Sequence, residues 1–158
     1  MRRSALLGAL AGVAAVAAAT GAAAGLTGHS GAHGPAELAV SAGYIPQPVL
    51  TDEAAAYVTV TNTGGTDAQL TSVTTTLAAQ TTLHSTTGTT MRQVTALTVP
   101  AGGRLTLGTG GDHMMLETLT HKPKVGERVT LRLHFAHATP ATITVTVPVR
   151  PTTYSPKG

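Results

Sequence analysis

The run GERVTLRLHFAHATPATITVTVPV, residues 126–149, decides the fold class. In 126–135, and again in 141–149, apolar and polar residues take turns. That period of two sends one set of side chains to a core and the other to water, as in a half-buried strand. Leu133 and Phe135 then lie on the core side and His134 on the outer side. HATP (137–140) supplies the turn of a hairpin-like connection and holds His137.

Outward from this pair the same reading repeats. ELAVSAGYI (37–45) alternates and ends at Pro46 and Pro48. AAYVTVTN (55–62) sets Tyr57, Thr59 and Thr61 against Val58 and Val60, and 62–67 has the composition of a turn. QLTSVTTTL (69–77), TTLH (81–84), MRQVTALTV (91–99) and RLTLG (104–108) read as further strands, with Pro100, AGG and GTGG as breaks. The Thr-rich stretch 74–90 suits exposed strand faces. LETL (116–119) is the one helical candidate, a single turn at most. Short strands at short intervals, with no long 3.6-residue period, predict a single all-β domain, a sandwich or a barrel.

The start of the chain reads as a targeting segment. Arg2 and Arg3 precede an apolar run from Ala5 to Ala19, and Ala22 to Ala24 offer small-residue cleavage sites. We expect a signal peptide over 1–24, a flexible Gly/His linker over 25–36, a folded domain over 37–149 and a mobile tail over 150–158. The protein is then exported to a periplasm-like or cell-envelope space, and an uncleaved segment would tether it to the membrane. Ten Lys and Arg face seven Asp and Glu; without Arg2 and Arg3 the balance is eight to seven, a net +1. Such a near-neutral domain has no electrostatic footprint for nucleic acid, and we expect it to be a monomer that does not span the membrane. There is no Cys. That excludes disulfides, a cysteine nucleophile, zinc-thiolate and blue-copper centres, and a lipid-modified cysteine.

The chemistry gathers around GGDHMMLETL (110–119). If HMML is a strand, His113 and Met115 share one face, and Met114 points to the other, into the core. Packing alone accounts for such a motif often enough, because Met is a common core filler. His84 and Met91 repeat the combination of imidazole with thioether, on either side of STTGTT, whose Gly88 permits a tight reversal. Thioethers favour Cu(I), imidazole suits copper in either state, and hard cations want carboxylates, of which this region has only Asp112 and Glu117. His84, Met91, His113 and Met115 are the candidate metal ligands. His29 and His33 in the linker could form a secondary Cu(II) site, with a solvated linker as the simpler reading. His121, His134 and His137 read as surface residues. Lys122, Lys124, Arg92 and Arg104 could line a docking surface, although surface cations usually only solvate. Ser85 beside His84 is a neighbour in sequence only, and no acid–base pair or nucleophile is persuasive, so an enzyme is not expected.

These residues resemble the periplasmic PCu(A)C-type copper chaperones. Their pattern is a His, a Met about ten residues on, then twenty-one residues and His-x-Met. Here twenty-one residues separate Met91 from His113, and His113-Met114-Met115 supplies His-x-Met. MRQV, VPAGGRLTLGTGGDHMMLETL and KVGERVTLRLHF follow the family's run in order. The likeness is good over 81–135 and weaker over 37–80. Two departures stand out: only six residues separate His84 from Met91, and Ser85 and Thr86 occupy positions where members often carry a further Met. The resemblance implies a cupredoxin-like (Greek-key) β-sandwich that binds Cu(I) through two His and two Met, on exposed loops at one end. It also implies delivery to the binuclear copper centre of cytochrome c oxidase or to an assembly factor. A copper storage or scavenging protein, and a metal-free Ig-like interaction domain, are the rival readings.

Overall fold

The two alternating runs pair as an antiparallel hairpin in the computed structural model, which describes residues 34–157. The expected signal segment, most of the linker, and His29 and His33 lie outside the described residues. Among the described residues ten strands follow one another: β1 (Leu38–Pro46), β2 (Glu53–Asn62), β3 (Ala68–Thr74), β4 (Ala78–Thr87), β5 (Thr90–Val94), β6 (Leu97–Val99), β7 (Arg104–Thr106), β8 (His113–Leu119), β9 (Arg128–Ala136) and β10 (Thr142–Arg150). Among the described residues no helix is long and apolar enough to cross a membrane. The expected helical turn at LETL is instead the second half of β8. LETL pairs with β4 in the same register as the first half of the strand, Leu119 opposite Ala78 and Leu116 opposite Thr81, and Thr118 sits at a positive φ of 56° within it.

The hydrogen-bonded order is β5-β4-β8-β2-β1-β10-β9-β3-β6, with β7 also on β2. β1 joins the two layers of the sandwich. Its first part pairs antiparallel with β2, and its end, Ile45 and Pro46, pairs in parallel with Val149 and Arg150 of β10. A register shift between Ser41 and Tyr44, with Ala42 at φ 51°, turns the strand from one layer to the other. The run read as one strand over 91–99 is two: β5 pairs with β4, whereas β6 pairs with β3 in the opposite layer.

Between the layers lies the core. Val129, Leu131, Leu133 and Phe135 enter it from β9, Val58 and Val60 from β2, and Met114 and Leu116 from β8, all buried. Along β2, Thr59 and Thr61 face away from Val58 and Val60 as the sequence predicts, and His134 lies on the outer face of β9 between Thr74 and Thr142. Residues expected to form a mobile tail carry defined contacts. The ring of Tyr154 meets Tyr44 edge-on at 4.9 Å, with the Arg150 guanidinium 5.2 Å from its centroid.

The turn after β2 is held by close backbone approach. A Cβ on Gly64 would strike the Pro35 carbonyl oxygen and come within 2.7 Å of the Glu37 nitrogen and 2.8 Å of Ala36 Cα. All three are backbone atoms that no rotamer change can move. Gly64→Ala is therefore expected to cost about 2–3 kcal/mol of unfolding free energy, at the upper end for overpacking. Urea denaturation checks this; a midpoint equal to that of the parent would contradict it.

Candidate metal centre

β2 has two partners along one edge: β7 against Thr59–Thr61, then β8 against Glu53–Ala56. Between them the chain makes a small closed excursion over 108–112. The Gly108 N–H donates to the Asp112 carbonyl (3.1 Å) and the Gly111 N–H to the Gly108 carbonyl (2.9 Å), with Gly110 at φ 79°. This is why glycines precede His113: they close the loop and deliver the histidine as the first residue of β8. Asp112 Oδ1 accepts from the Thr86 N–H (3.0 Å), and the Thr86 hydroxyl donates to the Gly111 carbonyl (3.0 Å), which binds the loop to β4.

β4 turns back into β5 through Gly88 and Thr89, with Thr87 opposite Thr90 and Gly88 at φ 61°. A glycine at the first position of a two-residue hairpin loop supplies the positive φ that a type II′ turn needs. The reversal expected at Gly88 is present, but it sets His84 opposite Gln93, and Met91 opposite Thr86. On the other side of β4, His84 lies directly opposite His113, and Thr82 opposite Met115. Because side chains alternate, His84, Met91, His113 and Met115 all project from one face of the β5–β4–β8 sheet. That is the face opposite the one from which Met114, 0% exposed, enters the core. The candidate ligands thus sit on the outer face of a sheet, not on loops at the end of the sandwich.

The histidines form the centre of this group. Their ring centroids are 5.2 Å apart with 25° between the planes. Met115 is two residues along β8 from His113, and Met91 is diagonal to His84, about 7–8 Å away between backbones. The two methionine backbones therefore lie at opposite corners, roughly 16 Å apart by ordinary strand spacing and rise; Met115 stands beside the histidine pair, whereas Met91 joins it at one ion only if the edge strand β5 moves inward. His113 is only 9% exposed, whereas Met91, on the edge strand, is 56% exposed.

Hydrogen bonds assign the ring protons. His113 Nδ1 lies 2.9 Å from the Gly111 carbonyl oxygen. A carbonyl only accepts, so Nδ1 carries the proton and Nε2 keeps a bare lone pair. The Thr82 hydroxyl donates to Glu117 Oε1 at 2.9 Å and so accepts from His84 Nε2 at 3.0 Å. That leaves the His84 Nδ1 lone pair bare, buried and without a hydrogen-bond partner. Sequence reasoning did not select Thr82 and Glu117. The signal was available: Thr82 is two residues from His84 and Glu117 two from Met115, so alternation places all four on one face. No group of three or more His, Cys, Asp or Glu able to hold a metal occurs among the described residues. Any ion held by the histidine pair must take its further donors from the thioethers or from outside the chain.

Beside Met115 the same face opens into a groove of about 340 Å³, lined by Pro48, Val49, Leu50, Tyr57 and Tyr154 among others. Val49 and Leu50 are exposed. Tyr44 packs under it against Tyr57 (5.2 Å), and burial pushes its phenol above the ordinary value. The other described histidines stand apart from the centre. His121 pairs with Glu127 at 2.6 Å, and the backbone N–H of Lys124, then His121, hold that carboxyl below the ordinary range.

Fold and donor set together define an all-β, cysteine-free sandwich domain with a two-histidine, two-thioether face suited to a soft metal. The chain belongs to the family described as "Putative lipoprotein LpqE-like", whose model matches residues 38–149. This chain itself contains no cysteine for a lipid thioether. Among solved structures it is similar to the solution structure of CuI-DR1885 from Deinococcus radiodurans. The identity is 31%, the match covers 78% of this chain and 85% of that one, and the TM-score is 0.61. It shares its fold with the apo PmoF2 PCuAC domain (19% identity, 76% and 94% covered, TM-score 0.65). The copper-bound PCuAC domain from PmoF2 gives 19%, 74% and 95%, and 0.64. No curated protein sequence matches the chain.

Proposed function

We propose that this protein is an exported copper chaperone that binds Cu(I) through His84, Met91, His113 and Met115. It would hand the ion to the copper centre of cytochrome c oxidase or to one of its assembly factors. The observation that carries the reading is the opposed His84–His113 pair with an unpartnered, buried Nδ1 on His84. Leaving a buried lone pair bare costs about 1–3 kcal/mol, and a bound cation removes that cost. Imidazole with thioether, and no thiolate, suits Cu(I) and disfavours hard cations. The copper-bound state of two similar structures supports the choice of metal, and Arg2, Arg3 and the apolar run after them support export.

The donor set also suits transfer. Neutral thioethers hold copper without the strength of thiolates, so an acceptor richer in thiolate draws it away. Exposed Met91, at one corner, is the natural ligand to be displaced first. Anaerobic titration against a chromophoric Cu(I) chelator is expected to show one tight equivalent and no comparable Zn(II) binding. No competition above a variant lacking all four ligands would end the copper reading. Met115→Leu is expected to weaken Cu(I) binding more than Met91→Leu, and equal losses would contradict the unequal roles of the two thioethers. Transfer to an apo oxidase copper-centre fragment separates delivery from storage.

A further inference from the structure

The histidine pair is not symmetric, and its asymmetry has a structural cause. His113 is anchored through Nδ1 to the Gly111 carbonyl, which leaves Nε2 for a metal. His84 is anchored the other way round. Its Nε2 is 3.0 Å from the Thr82 hydroxyl, whose own proton is committed to Glu117 Oε1 at 2.9 Å. A carboxylate only accepts, and a hydroxyl with its proton so engaged can only accept from the ring. The relay Glu117–Thr82–His84 therefore fixes the proton on Nε2 and leaves Nδ1 bare, buried and without a hydrogen-bond partner.

Resting on the copper reading, we infer that His84 binds Cu(I) through Nδ1, with Thr82 and Glu117 as positioning residues that fix its tautomer, while His113 binds through Nε2. Two rings tilted by only 25° cannot both point their lone pairs at one ion, so binding requires a ring to twist about its Cβ–Cγ bond. The broad energy well of that torsion allows this. In His84 the Nε2 atom lies nearer the twist axis than Nδ1 does, so a twist moves Nδ1 further than it moves Nε2 from Thr82. The tautomer set in the free protein is the one used in binding, and no proton has to leave the ring.

Two-bond ¹H–¹⁵N correlation spectra of the ¹⁵N-labelled full chain test this with and without one equivalent of Cu(I). In the free protein His84 is expected to show a protonated Nε2 and an unprotonated Nδ1. On adding Cu(I), His84 Nδ1 and His113 Nε2 should shift, while His84 Nε2 stays protonated. Thr82→Val should mix the His84 tautomers in the metal-free spectrum and weaken Cu(I) binding about 10- to 100-fold, the usual effect of losing a partner of a metal-bound histidine. Thr82→Ser, which keeps the hydroxyl, should restore both. A protonated Nδ1 on His84 in the free chain, or a copper-induced shift at His84 Nε2 in place of Nδ1, would overturn the inference and leave the copper site standing. No copper-induced shift at either histidine would instead overturn the copper reading, and the inference with it.

Discussion

Asn62→Leu is expected to lower the unfolding free energy by about 3–5 kcal/mol, the largest single-residue loss of stability outside the apolar core. Asn62 is 1% exposed at the end of β2 and uses every bond its amide can make. Oδ1 accepts from the Glu37 N–H (3.2 Å) and the Gly64 N–H (3.0 Å). Nδ2 donates to the Thr66 carbonyl (2.8 Å) and the Val99 carbonyl (3.2 Å). One side chain thus ties the start of β1, the 62–67 turn and the end of β6 together. Leucine fills the volume but leaves four backbone groups without partners. Those of Gly64 and Val99 are buried and cost about 1–3 kcal/mol each, while those of Glu37 and Thr66 recover part of their loss from water. The site should not notice. Asn62 stands seven residues along β2 from Ala55, the partner of Met115, a separation of roughly 23 Å at strand rise. Urea denaturation should show the loss, and Cu(I) competition on the folded variant should match the parent. A loss below about 1 kcal/mol would mean that water replaces the amide, contrary to the burial of Gly64 N and Val99 O.

Much of this fold could be read directly, because its strands have one dry face and one wet one. The alternation of 126–149 became β9 and β10, and Val58 and Val60 went inward. Where the reading slipped, a strand had broken the rule of alternation or changed partners. LETL looked helical because Leu116 and Leu119 are three residues apart, yet both lie in β8, paired with β4. The run 91–99 looks continuous, yet it leaves β4 for the opposite layer between Val94 and Leu97, and no local pattern marks a change of neighbour. The site followed the same division. That His113 and Met115 share a face required only parity. That His84 stands against His113 required the register of β4 on β8, two strands about thirty residues apart in the chain. The short spacer before Met91 had a structural meaning too. A two-residue turn sets His84 opposite Gln93, so Met91 falls two residues short of a direct pairing.

The double variant His84→Ala/His113→Ala is expected to lose Cu(I) affinity by well over 100-fold, since losing only a hydrogen-bond partner of a metal-bound histidine already costs up to about that much. Each single variant should lose nearly as much as the double. With one imidazole gone, the remaining thioethers stand at opposite corners of the face, and no group of three or more His, Cys, Asp or Glu among the described residues offers a substitute site. The effects would then be far from additive, as expected of ligands sharing one ion. Stability gives an independent readout. Ligand that binds only the folded state adds about 2.7 kcal/mol when its free concentration is 100 times Kd. Under buffered Cu(I) at that level, the parent's unfolding free energy should rise by this amount and the double variant's should not move. Without metal the two substitutions should differ. His84→Ala relieves the unpaired buried Nδ1 while giving up the bond from Nε2 to the Thr82 hydroxyl, so its net cost should be the smaller. His113→Ala gives up the bond to Gly111 and should cost about 1 kcal/mol. A double variant still stabilised by Cu(I) would place the metal elsewhere on the chain. A parent that gains nothing from Cu(I) would leave the stacked histidines as packing alone.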